Sequence, residues 1–157
     1  GQAAIELEMA AYTPHYKERH SSAIARSISD EAIFKNTEIY PYHIAKDEGV
    51  RIIQLGELLL TVIGDLKQNV SREKISLKFH NTVAQMINEM CELISNETGI
   101  KQVALSGGVF QNRLLLRKAV NLLKKNGFHV LTHKQSPCND GGIALGQAVI
   151  ANFATAS

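Results

Sequence analysis

Two glycine pairs mark the places where this chain could do chemistry. Gly107 and Gly108 lie in "VALSGGVFQN" (residues 103–112), between an apolar stretch and a helical one, and Gly141 and Gly142 lie in "PCNDGGIALGQA" (137–148), directly before another helical stretch. Glycine costs backbone entropy, so a pair at such a junction marks a sharp turn or a point where something must approach the backbone closely. A helix N-terminus adds unpaired N–H groups and the positive end of the helix dipole, and two of them converging on one crevice would suit the phosphates of a ligand. Either pair taken alone fits a tight turn with close helix packing just as well. The chain has neither GxxxxGK[ST] nor GxGxxG, so such a site would be neither a P-loop nor a dinucleotide fingerprint.

Around these pairs, Asp140 admits two readings: an ordinary cap of the last helix, or a carboxylate placed beside bound phosphates to hold a divalent metal. Arg113 and Arg117, one helical turn apart, fit a solvated face and also fit phosphate screening. His129 and His133 spell HxxxH, but they fall on a predicted strand and its exit, where four residues span about 13 Å, too far for one ion. His15 and His20 sit in a polar stretch and are expected to face solvent. Cys91 falls on a core position of a long helix; Cys138 adjoins the second glycine pair, with nothing beside it in sequence to make it a nucleophile.

The elements that must position these residues follow from periodicity. Residues 1–12, "GQAAIELEMAAY", read as an amphipathic helix entered part-way, as in a piece of a longer protein, and 13–37 as a polar, mobile loop with one short helix near 22–27. "TEIYPYHIAK" and "VRIIQL" around "DEG" predict a hairpin, with Pro41 at an edge. Helices are predicted from Gly56 to Asn69 and from Ser71 to Gly99. In the second, Ile75, Phe79, Val83, Ile87, Met90 and Ile94 recur at three- and four-residue steps. "KQVAL", "VFQNRLLLRKAVNLLKKN", "FHVLT" and "GGIALGQAVIANF" then read strand, helix, strand, helix. A right-handed crossover makes the two strands parallel, so both glycine loops leave the same sheet edge.

Composition bounds the class. The 157 residues are 45% hydrophobic and 20% charged, enough for one compact α/β unit. A net charge of +2 gives no reason to expect nucleic acid or an anionic membrane as partner. No apolar run approaches the roughly 18 residues of a membrane span, no basic-then-apolar leader opens the sequence, and two isolated cysteines suit a reducing compartment, so a cytoplasmic location is expected.

Together "GQAAIELE", "FHNTVA", "VALSGGVFQNRLL" and "PCNDGGIALGQA" resemble, in order and over nearly the whole chain, the C-terminal part of the HypF family, the carbamoyltransferases of nickel–iron hydrogenase maturation. The resemblance implies the C-terminal lobe of an actin-like ATPase (ASKHA) fold, a short parallel or mixed sheet flanked by helices, with residues 1–157 as one lobe of the carbamoyl-transfer domain. It implies ATP as nucleotide, held by Gly107 and Gly108 at the phosphates, Asn112 towards the nucleoside, Gly1 and Glu6 near ribose and adenine, and His80 and Asn81 along the cleft. It implies Asp140 as one ligand of a divalent metal (Fe, Zn or Mg) whose other ligands, two histidines, lie outside this chain. Carbamoyl phosphate is the implied substrate, carbamoyl-adenylate the intermediate and the C-terminal cysteine of the partner HypE the acceptor. With no obvious general base, the isolated chain is expected to be inactive in transfer and to bind nucleotide weakly or not at all. TsaD-type tRNA threonylcarbamoyl transferases are more distant relatives, and they typically read "GGVAAN" and "TDN" where this chain has "GGVFQN" and "NDGG". A small-molecule O-carbamoyl transferase and a non-catalytic, nucleotide-dependent docking lobe remain the other readings.

Overall fold

The computed structural model describes residues 37–155, so the opening helix, the 13–36 part of the polar loop, Gly1, Glu6, His15 and His20 lie outside the described residues. The predicted hairpin forms from β1 (His43–Asp47) and β2 (Val50–Gln54), antiparallel, with His43 opposite Gln54 and Asp47 opposite Val50. Glu48 and Gly49 make the turn with φ of 45° and 86°, the pair of positive values that lets a two-residue turn follow the strand twist. The first strand is shorter than predicted. Residues 37–42 are irregular because Pro41 can give no ladder N–H, and pairing begins only beyond it.

Two helices follow, α1 (Gly56–Lys67) and α2 (Arg72–Thr98). Ser71 caps α2, its side chain accepting from the Lys74 N–H, and Gly99 ends it in a left-handed conformation. Next come β3 (Gln102–Leu105), a 3₁₀ turn at Gly108–Gln111, α3 (Arg113–Lys125), β4 (His129–Thr132), a second 3₁₀ turn at Asp140–Gly142, and α4 (Ile143–Thr155). Strands β3 and β4 pair in parallel. The described strands form two separate two-stranded sheets, one antiparallel and one parallel, where a single short sheet had been expected.

Helix α2 is the spine because it buries two sides. On one side Ala84 joins Leu105, Leu115, Ala119, Leu123 and Phe128, with Val83, Ile87 and Cys91 packed against them. On the other, Met86 joins Tyr40 and Leu58, with Phe79 alongside. A helix covered on two sides must bury polar positions as well, and each needs a partner. The Thr82 hydroxyl accepts from the Tyr40 N–H at 2.8 Å, and the Asn88 side-chain oxygen accepts from Asn126 Nδ2 at 2.9 Å. Ile94, predicted for the core, is exposed near the end of the helix. There Glu97 takes Lys46 and Arg51 of the hairpin as ion-pair partners.

Tyr40 locks α1 to α2. Its hydroxyl donates to Asp65 Oδ2 at 2.8 Å, Lys78 Nζ lies 3.3 Å from the same oxygen, and that ammonium sits 4.2 Å from the ring centroid. The Tyr40 hydrogen bond, aided by Lys78 and opposed by burial, holds the Asp65 carboxyl below its ordinary value. Burial, followed by the bond to Asp65, pushes the Tyr40 phenol up. A depressed carboxylate contributes stability above the ordinary range near 4 that is lost as pH falls through it, and a raised phenol contributes below about 10 and loses that contribution as pH rises. The urea midpoint is therefore expected to fall at both extremes, and Asp65→Asn is expected to flatten the acid limb.

Candidate functional site

The parallel pair fixes the site. Leu105 lies opposite Thr132 as the last residue of each strand, so Ser106 and His133 leave the sheet side by side. His133 Nε2 is 2.9 Å from Ser106 Oγ, and its Nδ1 is 3.1 Å from Ser136 Oγ. One step further along, the Gly107 N–H donates to the Cys138 carbonyl at 2.7 Å. Two loops separated by some thirty residues are thus joined by backbone and by side chains at one sheet edge. A small open cavity of about 200 Å³ lies at these strand ends, lined by Ala104, Leu105, Leu131, Thr132 and His133.

The glycines divide by task. Gly107 has φ 108° and ψ 157°, a conformation essentially closed to other residues, and what comes close to its N–H is the Cys138 carbonyl. Gly108 is exposed, and a side chain there would meet only Asn139 Cβ, at 3.9 Å. The N–H groups of Gly108 and Val109, at the start of the 3₁₀ turn, take no hydrogen-bond partner among the described residues. Gly142 is a packing glycine, since a Cβ on it would stand 2.8 Å from the Pro137 carbonyl oxygen. Gly142→Ala must therefore shift backbone. It is expected to cost roughly 1–3 kcal/mol, read as a lower denaturant midpoint at unchanged slope.

Asn112 and His80 meet. Asn112 caps α3, its Oδ1 accepting from the Leu115 N–H at 2.9 Å, and its Nδ2 donates to His80 Nε2 at 2.9 Å. His80 is buried, and its Nδ1 lies 2.8 Å from the Ser76 carbonyl, an acceptor only. The imidazole therefore carries its proton on Nδ1 and receives at Nε2. Both ring nitrogens are held by the chain itself. Asn81 Nδ2 donates to the Glu38 carbonyl at 2.9 Å and secures the segment leading into the hairpin.

Asp140 is exposed and is the first residue of its 3₁₀ turn; the cap is Asn139, whose side chain accepts from the Gly141 N–H. This corrects the placement of Asp140 as the cap. Among the described residues no three His, Cys, Asp or Glu side chains group to hold a metal ion, so they do not by themselves make a metal centre. His129 lies on β4 beside Gln102, and His133 is turned to the two serines, in keeping with their separation in sequence. Cys91 packs at the core, where burial pushes its thiol up. No helix among the described residues is long and apolar enough to cross a membrane. A second open groove, of about 440 Å³, is lined by Ile39, Tyr40, Pro41, Tyr42, Gln85 and Glu89 and shares no residue with the glycine loops.

A small α/β unit with two helix-opening glycine loops joined at one parallel sheet edge is the setting in which the family becomes clear. Residues 1–147 match the family described as carbamoyltransferase, Kae1-like domain, second subdomain (HypF_C_2), and the chain belongs to that family. It is similar to the probable carbamoyltransferase HypF of Methanocaldococcus jannaschii, 34% identical over 98 residues, covering 62% of this chain and 13% of the relative. Against the carbamoyltransferase HypF of Synechocystis sp. it is 44% identical over 73 residues, covering 46% of this chain and 9% of the relative. A crystal structure of full-length HypF in its phosphate- and nucleotide-bound form matches with a TM-score of 0.71 and 42% identity, over 82% of this chain and 17% of that one. The structure of HypF from T. kodakarensis shares the fold, with a TM-score of 0.54 and 21% identity over 78% of this chain and 16% of that one. The chain spans about a tenth of the length of these curated relatives.

Proposed function

We propose that this chain is the nucleotide-binding lobe of a HypF-type carbamoyltransferase, built as the C-terminal lobe of an actin-like ATPase fold. The observation that carries the reading is the junction of Gly107 with Cys138, which brings both glycine loops to one sheet edge, where the Gly108 and Val109 N–H groups have no partner among the described residues. Donors fixed by backbone suit phosphate oxygens because they need no reorganisation when the anion arrives. In this reading ATP phosphates lie over Gly108, and the Asn112 side chain lies towards the nucleoside. His80 and Asn81 support that wall, and Gly1 and Glu6 contribute at ribose and adenine. Asp140 offers one carboxylate to a divalent ion whose other ligands come from outside the described residues.

The chemistry of the whole protein is a carbamoyl transfer. Hydrolysis of carbamoyl phosphate gives carbamate and phosphate, and the carbamate oxygen attacks the α-phosphate of ATP, forming carbamoyl-adenylate and releasing pyrophosphate; the thiol of the C-terminal cysteine of HypE then attacks the carbamoyl carbon. A sulfur–carbon bond forms, the carbon–oxygen bond to AMP breaks, and the thiol proton is released. The present lobe holds the adenylate while this happens. Apolar side chains exposed on α1 (Leu59, Leu60, Ile63, Leu66) and on α4 (Ile143, Leu145, Ile150, Phe153) support its working against further protein surface. The polypeptide that carries this chain, given ATP, carbamoyl phosphate and a HypE C-terminal peptide, is expected to add one carbamoyl group to the peptide cysteine by mass spectrometry. Modification that proceeds equally well without ATP, or no modification with every component present, would contradict the reading.

A further inference from the structure

We propose that the Ser106 hydroxyl is an anion donor at the sheet edge and that His133 is the residue that positions it, acting through the choice of which ring nitrogen carries the proton. His133 Nε2 contacts Ser106 Oγ at 2.9 Å, its Nδ1 contacts Ser136 Oγ at 3.1 Å, and the ring lines the cavity at the strand ends. A neutral imidazole has one donor and one acceptor nitrogen, so the two serines cannot play the same role. If Nδ1 carries the proton, it donates to Ser136, and Ser106 must spend its own hydrogen on Nε2. Ser106 then turns lone pairs outward and repels an anion. If Nε2 carries the proton, it donates to Ser106 Oγ, Ser136 donates to Nδ1, and the Ser106 hydrogen is free. An anion beside Gly108 selects the second arrangement, because only that one adds the Ser106 hydroxyl as a donor. His80 shows by contrast what a locked ring looks like, with a backbone carbonyl fixing its proton. His133 faces two hydroxyls, each able to donate or accept, and so keeps both tautomers open.

This assignment rests on the phosphate reading of the crevice, and it adds to that reading a residue and a direction of proton donation. The test uses the full chain labelled with nitrogen-15 and titrated with inorganic phosphate at one fixed pH. The expected result is a shift of the His133 ring resonances towards the Nε2-protonated tautomer as the amides of residues 106–109 saturate. Ser106→Ala and His133→Leu are each expected to weaken the phosphate response about fivefold, as loss of a hydrogen bond to a charged group would. His133→Gln, whose amide N–H replaces the Nε2 donor, is expected to restore most of it. His133→Leu made in the Ser106→Ala background is expected to add nothing further, a coupling that separate structural roles would not produce. Saturation in wild type with an unchanged tautomer, or an undiminished response in His133→Leu, overturns this proposal and leaves the phosphate crevice standing. Absence of any response to phosphate in wild type overturns both.

Discussion

Asn112→Ala is expected to destabilise the protein by roughly 2–4 kcal/mol, far more than the loss of a ligand contact would produce without ligand. Two losses add. The Oδ1 cap on the Leu115 N–H opens α3, and the departure of Nδ2 leaves the Nε2 acceptor of buried His80 without its Asn112 donor. His80 cannot compensate by moving its proton to Nε2, since Nδ1 would then face the Ser76 carbonyl, acceptor against acceptor. Asn112→Ser separates the terms. Serine is as good a cap but cannot reach His80, so it should recover about 1 kcal/mol of the loss. Chemical denaturation of the three proteins without nucleotide reads both effects. If Asn112 served only a nucleoside, all three would unfold at the same midpoint.

Tyr40→Ala is expected to cost roughly 3–5 kcal/mol, the range for emptying a fully enclosed aromatic site. Tyr40 is wholly buried and is the centre of the cluster with Leu58 and Met86 that attaches α1 and the hairpin to α2. Deleting it leaves a cavity and strips Asp65 of the hydroxyl that does most to hold its carboxylate charged. Tyr40→Phe keeps the packing and loses only the bond to Asp65, so it should cost about 1–2 kcal/mol and remove the Tyr40 share of the alkaline loss of stability. A Tyr40→Ala protein with an unchanged melting temperature would mean that α1 holds to α2 by other contacts.

The strand and helix order from Gly56 onward was legible because each element carries a strong period and a stop. Ser71 and Gly99 bound α2, and β3 ends one residue short of its glycine pair. The parallel pairing followed from chain order and handedness, and with it the convergence of the loops on one edge. What periodicity cannot show is a helix covered on two sides. Ser76, His80, Thr82 and Asn88 are polar positions of α2 that are nevertheless buried, because the hairpin side and the α3 side both close over the helix. The partner of Gly107 was hidden for a related reason: a glycine pair announces that something approaches, without saying whether ligand or carbonyl. The Cys138 carbonyl, thirty-one residues away, answers for Gly107, and Gly108 stays open. The link among Ser106, His133 and Ser136 was missed although its signal is in the sequence. Ser106 and His133 each follow immediately on a strand, and strands that end level place them side by side.

Nucleotide phosphates are expected to approach this crevice at Gly108. The most direct measurement is a titration of the nitrogen-15-labelled chain with ATP and magnesium, beside Gly108→Val, which adds a side chain where the backbone is not in the left-handed region and only Asn139 is near. Wild type is expected to show weak, saturable shifts centred on residues 106–112 and 138–142 and reaching Gly1, Glu6, His80 and Asn81, and the variant is expected to lose them with the rest of its spectrum unchanged. Equal shifts in both proteins, or shifts centred on the groove of Tyr42 and Glu89, would contradict this expectation.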